Sequence, residues 1–162
     1  MSLVIADTSP LNYLIQCELV ALLEGLFERV VIPPAVLDEL RDPGAPVAVR
    51  HWALALPSWA EVRSPADDRP LDGLDLGESQ AIALACELNA DLLLIDERAA
   101  RQAARDRGLR VVGSLGILQI AALRGLIDLA ASMERLKSTN YRLTARLIEE
   151  ALAAVVGRKE RR

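Results

Sequence analysis

Residues 91–98 read Asp-Leu-Leu-Leu-Ile-Asp-Glu-Arg. The apolar run is short, continuous and without alternation, so residues 91–95 read as a strand buried on both faces. Asp96 then stands at the carboxyl end of that strand. The N-terminus has the same form. Residues 2–6, SLVIA, are an apolar run, and Asp7 ends it. RVVI at 29–32, AEVR at 60–63 and LRVV at 109–112 are the other strand candidates.

Helical patterns fill the intervals. Ser9 suits an N-cap with Pro10 at the first helical position. Leu11, Leu14, Ile15, Leu19, Leu22, Leu23 and Leu26 carry an apolar stripe across two short helices. Pro33-Pro34 opens a helix that runs through Leu40 and ends at Asp42-Pro43-Gly44. Further helices are expected over about 46–56, 76–88, 97–107, 114–124, 128–137 and 142–156, with Gly108 closing the one at 97–107. The stretch 64–74, SPADDRPLDGL, reads as a surface loop and not a domain boundary. Strands alternating with helices predict an α/β fold, with a parallel sheet of about 4–5 strands covered on both faces. One domain is expected over 1–157, followed by a frayed, charged tail at 158–162.

The composition fits such a domain. The 162 residues are 52% hydrophobic and only 3% aromatic, so Leu, Ile, Val and Ala must fill the core. A net charge of −4 argues against non-specific coating of nucleic acid, which depends on Lys and Arg neutralising phosphates. It leaves room for an enzyme whose carboxylates hold metal and whose basic residues are local. Cys17 and Cys86 lie in apolar, helix-like stretches and read as buried free thiols in a reducing cytosol. His51 is the single histidine, which removes Ser-His-Asp and Cys-His catalysis and most zinc sites. No signal peptide and no membrane span are evident, so a cytoplasmic protein is expected.

Four carboxylates stand out. Ligands of open α/β sheets bind beyond the carboxyl ends of the strands, at the switch point. If the strands before Asp7 and Asp96 are neighbours, both acids face one crevice, and like charges that close need a cation or a proton. A hard divalent ion with oxygen ligands meets that need. Glu78 heads an apolar helical stripe with Ala81, Ile82 and Ala85, and Glu39 shares a face with Ala35 and Val36. Each acid alone has a plainer reading. Asp96 can cap the helix after it, Asp7 can bond the turn at Thr8 and Ser9, Glu78 can favour a helix N-terminus, and Glu39 can be a surface residue. The argument rests on the four together. Arg98, Arg101 and Arg105 share one helical face beside the crevice, suited to phosphate or simply to solvent. Asp75 and Glu97 are further acids nearby, each an outer ligand or a surface charge.

Taken in order, VIADTSPLNYL at 4–14, RVVIPPAVLDEL at 29–40, LDLGESQAIALACEL at 74–88, ADLLLIDERAAR at 90–101 and LRVVGSLGILQIA at 109–121 resemble the PIN-domain nucleases, in particular the small prokaryotic, toxin-like branch. The resemblance spans about residues 3–125. It implies a three-layer α/β fold with an acidic quartet of Asp7, Glu39, Glu78 and Asp96, supported by Ser9 with Thr8 close by. Related sequences often carry a second aspartate where Glu97 stands, which bears on a supporting ligand. The implied activity is hydrolysis of RNA phosphodiesters with Mg²⁺ or Mn²⁺, by two ions ~4 Å apart that activate water and stabilise the leaving oxygen. Asp7 and Asp96 would be direct ligands, and Glu39 and Glu78 would complete the shell. Arg98, Arg101 and Arg105 would meet the RNA. A small antitoxin and a homodimer are further implied partners. The alternative is a PIN-like module that binds RNA or protein without turnover. A phosphatase using an aspartyl nucleophile would show DxD, whereas this chain has Asp7-Thr8-Ser9. A receiver-like domain needs a lysine near the acids, and Lys137 and Lys159 both fall late.

Overall fold

The computed structural model describes residues 2–161. Five short strands form one sheet, β1 (Val4–Ala6), β2 (Val30–Ile32), β3 (Ala60–Val62), β4 (Leu92–Leu94) and β5 (Val111–Val112). Their spatial order is β3-β2-β1-β4-β5, and every pairing is parallel. Helices α1 (Thr8–Gln16) and α2 (Leu22–Phe27) join β1 to β2, and α3 (Pro34–Leu40) and α4 (Val47–Leu54) join β2 to β3. The chain then returns through α5 (Leu76–Glu87) to place β4 on the other side of β1, and α6 (Arg98–Asp106) leads to β5. The order therefore reverses between β1 and β4, which is the switch point of an open α/β sheet. Helices α7 (Ser114–Leu123), α8 (Leu129–Lys137) and α9 (Ala145–Glu160) follow.

The alternation of side chains along each strand builds two cores. Val4 and Ala6 of β1, Val30 and Ile32 of β2, and Leu94 of β4 point to one face, packed with residues of α1–α4 and α7–α9. Ile5, Val31, Leu93 and Ile95 point to the other, against Ala81, Ile82, Leu84 and Ala85 of α5 and Ala100 and Ala104 of α6. Ile5, Leu93, Leu94 and Ile95 are each at most 1% exposed. Burying each such side chain contributes about 1.5–3 kcal/mol. Three layers result, and the expected sheet with helices on both faces is found.

Several local expectations shift. Helix α1 starts at Thr8 with Asp7 in the cap position, so Ser9 is not the N-cap and Pro10 lies further into the first turn. Extended backbone at Asp7 (φ −83°, ψ 172°) runs straight from the strand into the helix, and proline is tolerated there because a first-turn N–H has no helical acceptor. Helix α9 continues through Arg158 and Lys159 to Glu160, so these residues are helical and not frayed. Cations at a helix C-terminus suit its dipole. Arg162, the last residue of the expected tail, lies outside the described residues, as does Met1. Cys17 is buried as expected, but Cys86 is exposed, because it occupies the outer face of α5. Gly108 ends α6 with φ +78°, a conformation that favours glycine. Among the described residues no helix is long and apolar enough to cross a membrane.

Candidate acidic site at the sheet switch point

Two adjacent strands deliver two of the acids. Ala6 pairs with Leu94, and the Asp7 N–H donates to the Leu94 carbonyl at 2.9 Å. Asp7 thus continues β1 by one residue and is held at the carboxyl edge beside the end of β4, from which Ile95 and Asp96 continue. Asp7 is only 3% exposed, and its Oδ1 has no hydrogen-bond partner among the described residues. Burial pushes its pKa from 3.8 to about 8; the Thr8 N–H opposes this, and the charges of Asp75, Glu78 and Glu39 add to it.

Two helices bring the other acids. Glu39, near the C-terminal end of α3, accepts a hydrogen bond from Thr8 Oγ1. Desolvation raises its pKa against that bond. Gly77 lets the carboxylate approach, since a Cβ there would lie 2.5 Å from Glu39 Oε1. Glu78, 8% exposed, sits in the first turn of α5 in a reciprocal cap. Its N–H donates to Asp75 Oδ1 at 2.8 Å, and its Oε2 accepts from the Asp75 N–H at 3.0 Å. Its pKa is raised by burial first, then by Asp75, Glu97 and Glu39, with the Asp75 N–H opposing. The plainer reading of Glu78 as a helix-terminus residue therefore holds as well, since one side chain both caps α5 and lies among the acids.

Asp96 is differently held. It does not cap α6, whose cap position is Glu97. Instead Oδ1 accepts from the Ser114 N–H at 2.7 Å and Oδ2 from Ser114 Oγ at 2.6 Å. Desolvation raises its pKa, the Ser114 bonds and the Arg101 charge lower it, and Glu97 raises it. A Cβ on Gly113 would come 2.7 Å from Asp96 Oδ1 and 2.8 Å from Arg101 Nη1. Exposed Glu97 acts on both Glu78 and Asp96, and so links the two groups of acids electrostatically.

The structure brings Asp7, Glu39, Glu78 and Asp75 within electrostatic reach of one another, and sets Asp96 with Glu97 at the end of the neighbouring strand. Of the three arginines, Arg101 is the one whose charge acts on Asp96, while Arg98 and Arg105 are exposed. The hydroxyl bonded to an acid is that of Thr8, not Ser9. Sequence reasoning missed the roles of Ser114, Gly77 and Gly113. The Gly113-Ser114 pair directly after the β5 strand was the available signal for two of them, because a small residue and a hydroxyl there stand at a helix start beside the sheet edge.

The donor set suits a hard cation. All the donors are carboxylate oxygens, and Asp7 Oδ1 is a buried acceptor without a partner, the kind of atom a cation would satisfy. Among the described residues no group of three or more His, Cys, Asp or Glu side chains is placed to hold a metal ion. Glu39, Glu78 and Asp96 are instead bonded to Thr8, Asp75 and Ser114. An ion bound here would have to take few of these carboxylates directly and keep several waters, as Mg²⁺ can.

Fold and site together define a small parallel α/β domain with a carboxylate cluster at its switch point. The chain belongs to the PIN-domain family: the family model DUF3368, described as a PIN domain, matches residues 3–156. Members of this family are generally metal-dependent nucleases. Among solved structures the chain is similar to a PilT N-terminus domain protein from the hyperthermophilic archaeon Sulfolobus solfataricus P2. The two share 18% identity with a TM-score of 0.55, over 88% of this chain and 99% of that one. At that identity the likeness speaks for the fold alone. No curated protein matches the chain.

Proposed function

We infer that the chain is a ribonuclease that hydrolyses RNA phosphodiesters with Mg²⁺ or Mn²⁺. The observation that carries this reading is the buried, unpartnered Asp7 Oδ1 amid raised carboxyls at the carboxyl edge of the sheet. Asp7 and Asp96 would hold the ion directly, and Glu39 and Glu78 would complete its shell, in part through water. Such an ion, when bound, polarises the phosphate and lowers the pKa of a coordinated water. Ser114 fixes the Asp96 carboxylate through both oxygens, and Thr8 fixes Glu39. Second partners of this kind orient ligands and tune their basicity. Arg101 stands next to Asp96 to meet a phosphate oxygen.

The biological setting that fits is a cytoplasmic toxin, held in check by a small antitoxin and working as a homodimer. This part of the reading rests on the family resemblance. Light scattering of the purified chain tests the dimer, and co-expression with a neighbouring small reading frame tests the antitoxin.

A binding module without turnover is the second reading. It is favoured by the engagement of Glu39, Glu78 and Asp96 with protein donors, which leaves no group of three acids among the described residues placed to hold a metal ion. Structured and single-stranded RNAs incubated with Mg²⁺, Mn²⁺ or EDTA separate the two, beside Asp7→Asn and Asp96→Asn variants. Metal-dependent cutting lost in both variants is expected. Metal binding without cutting by folded wild type would establish the binding module, and cutting that survives both substitutions would place the chemistry elsewhere.

A further inference from the structure

A second feature adjoins the acids on the Asp96 side. Between α6, α7 and the α8–α9 connection lies an open cleft of about 310 Å³, lined in part by Arg101, Gly113, Leu115, Gln119, Tyr141 and Leu147. Its size is at the lower end of the ~300–1,000 Å³ typical of small-molecule sites, which suits one nucleotide and not a longer segment.

The lining carries complementary chemistry. Arg101 is half-buried, and it takes part in none of the ion pairs among the described residues. Its Nη1 and Asp96 Oδ1 both border the space that a Cβ on Gly113 would fill, so the cleft and Asp96 share that boundary. Tyr141 supplies an aromatic ring. The ring packs edge-on against Tyr13 of α1, with centroids 5.1 Å apart and planes at 89°. The backbone around it is tied down: the Tyr141 N–H donates to Thr139 Oγ1, whose hydroxyl donates to the Leu136 carbonyl. Burial and Asp96 push the Tyr141 hydroxyl up to about 12, so it stays protonated and able to donate. Gln119 uses its amide nitrogen on the Ala151 carbonyl at 3.3 Å, which leaves its carbonyl oxygen for a base edge.

We propose that this cleft seats one nucleotide of the RNA strand next to the scissile phosphate, with Arg101 on a phosphate and the Tyr141 ring and Gln119 amide on the base. A cation and an aromatic ring lining one cleft are the combination that single-stranded nucleic acid requires. The cleft lies beside the acids and on no other catalytic group, so it positions substrate and does no chemistry. The inference rests on the ribonuclease reading, and its test separates the two.

The test measures Kd for a short single-stranded RNA that wild type cuts, with Ca²⁺ replacing Mg²⁺, and repeats it with each nucleotide around the cut made abasic in turn. Wild type is expected to lose about tenfold at one abasic position. Tyr141→Leu should lose about tenfold on the intact RNA and nothing further at that position. Tyr141→Phe should keep the wild-type profile, because it keeps the ring. Arg101→Ala should reduce the slope of log Kd against log salt by about 0.7, one phosphate's share. Leu147→Trp, at a lining residue that is 38% exposed, puts a bulky ring into the cleft from α9 and should weaken binding about tenfold. That variant keeps the test decisive if Tyr141→Leu does not fold. A purely structural Tyr141 would weaken all RNAs alike and leave the abasic penalty unchanged. That result, or full binding by Leu147→Trp, would overturn the proposal while wild-type cutting left the ribonuclease reading standing. Wild type that neither binds nor cuts RNA would overturn both.

Discussion

Replacing Asp7 with asparagine should make the metal-free protein more stable while abolishing its activity. In the folded chain Asp7 is pushed from 3.8 to about 8, chiefly by burial. Below pH ~4 it is protonated in both folded and unfolded chains, and its acidity costs nothing. As pH rises the unfolded chain ionises first, the folded chain binds more protons, and stability falls until about pH 8, where it levels off. At pH 7 the gap from the ordinary value is about three pH units, a ceiling of roughly 4 kcal/mol. Water and side-chain movement reduce it, so about 2 kcal/mol is expected. Asparagine has nearly the same shape and no charge, and its amide can donate to the neighbouring carboxylates. In EDTA at pH 7 the variant should melt about 4–8 °C above wild type. The gain should shrink toward pH 4. Adding Mg²⁺ should raise the wild-type melting temperature by mass action and leave the variant unmoved. Cleavage by the variant should fall more than about a hundredfold. Calorimetry across pH 4–8 with and without Mg²⁺ checks all of this. A variant less stable than wild type in EDTA at pH 7, or a difference independent of pH, would refute the account of Asp7.

Three further outcomes are expected. Ser114→Ala removes the 2.6 Å bond to Asp96 Oδ2 from a residue that is 0% exposed. It should cost about 1–3 kcal/mol of stability and about 10–100-fold in metal affinity, read by denaturant titration and Mn²⁺ binding. Gly77→Ala places a methyl 2.5 Å from Glu39 Oε1, the end of a flexible side chain. The fold should survive by circular dichroism while Glu39 is displaced and kcat/KM falls at least about tenfold. Ile5→Ala, at 0% exposure in the core beneath α5 and α6, should cost about 2–5 kcal/mol in chemical denaturation and leave the isolated acid geometry intact at low temperature.

Much of this was legible in the chain itself. The strands at 2–6 and 91–95 announced themselves as continuous apolar runs ended by acids, because a strand buried on both faces has no polar side to show. Asp7 and Asp96 followed directly as strand-end carboxylates. Glu78 and Glu39 stood out through the conflict between charge and apolar neighbours. Helix starts were less secure: the side-chain preference of serine pointed to Ser9 as the cap, while the backbone leaving β1 puts Asp7 there.

Only the tertiary structure decided what each acid bonds to. The spatial order β2-β1-β4 makes Asp7 and the end of β4 neighbours, although 88 residues of chain lie between Asp7 and Asp96. The bond from Ser114 to Asp96 crosses from α7 to the end of β4, and Tyr141 reaches the same region from beyond α8. Such contacts have no local periodicity to betray them. The close approaches at Gly77 and Gly113 depend on how helices seat against the sheet edge, which is set by packing. Sequence alone determined the alternation of strand and helix and which carboxylates end the strands, because local patterning specifies those. The fold decided which side chains share the crevice, how far burial raises their protons, and which hydroxyls and glycines shape it, because those properties arise only when distant segments are brought together.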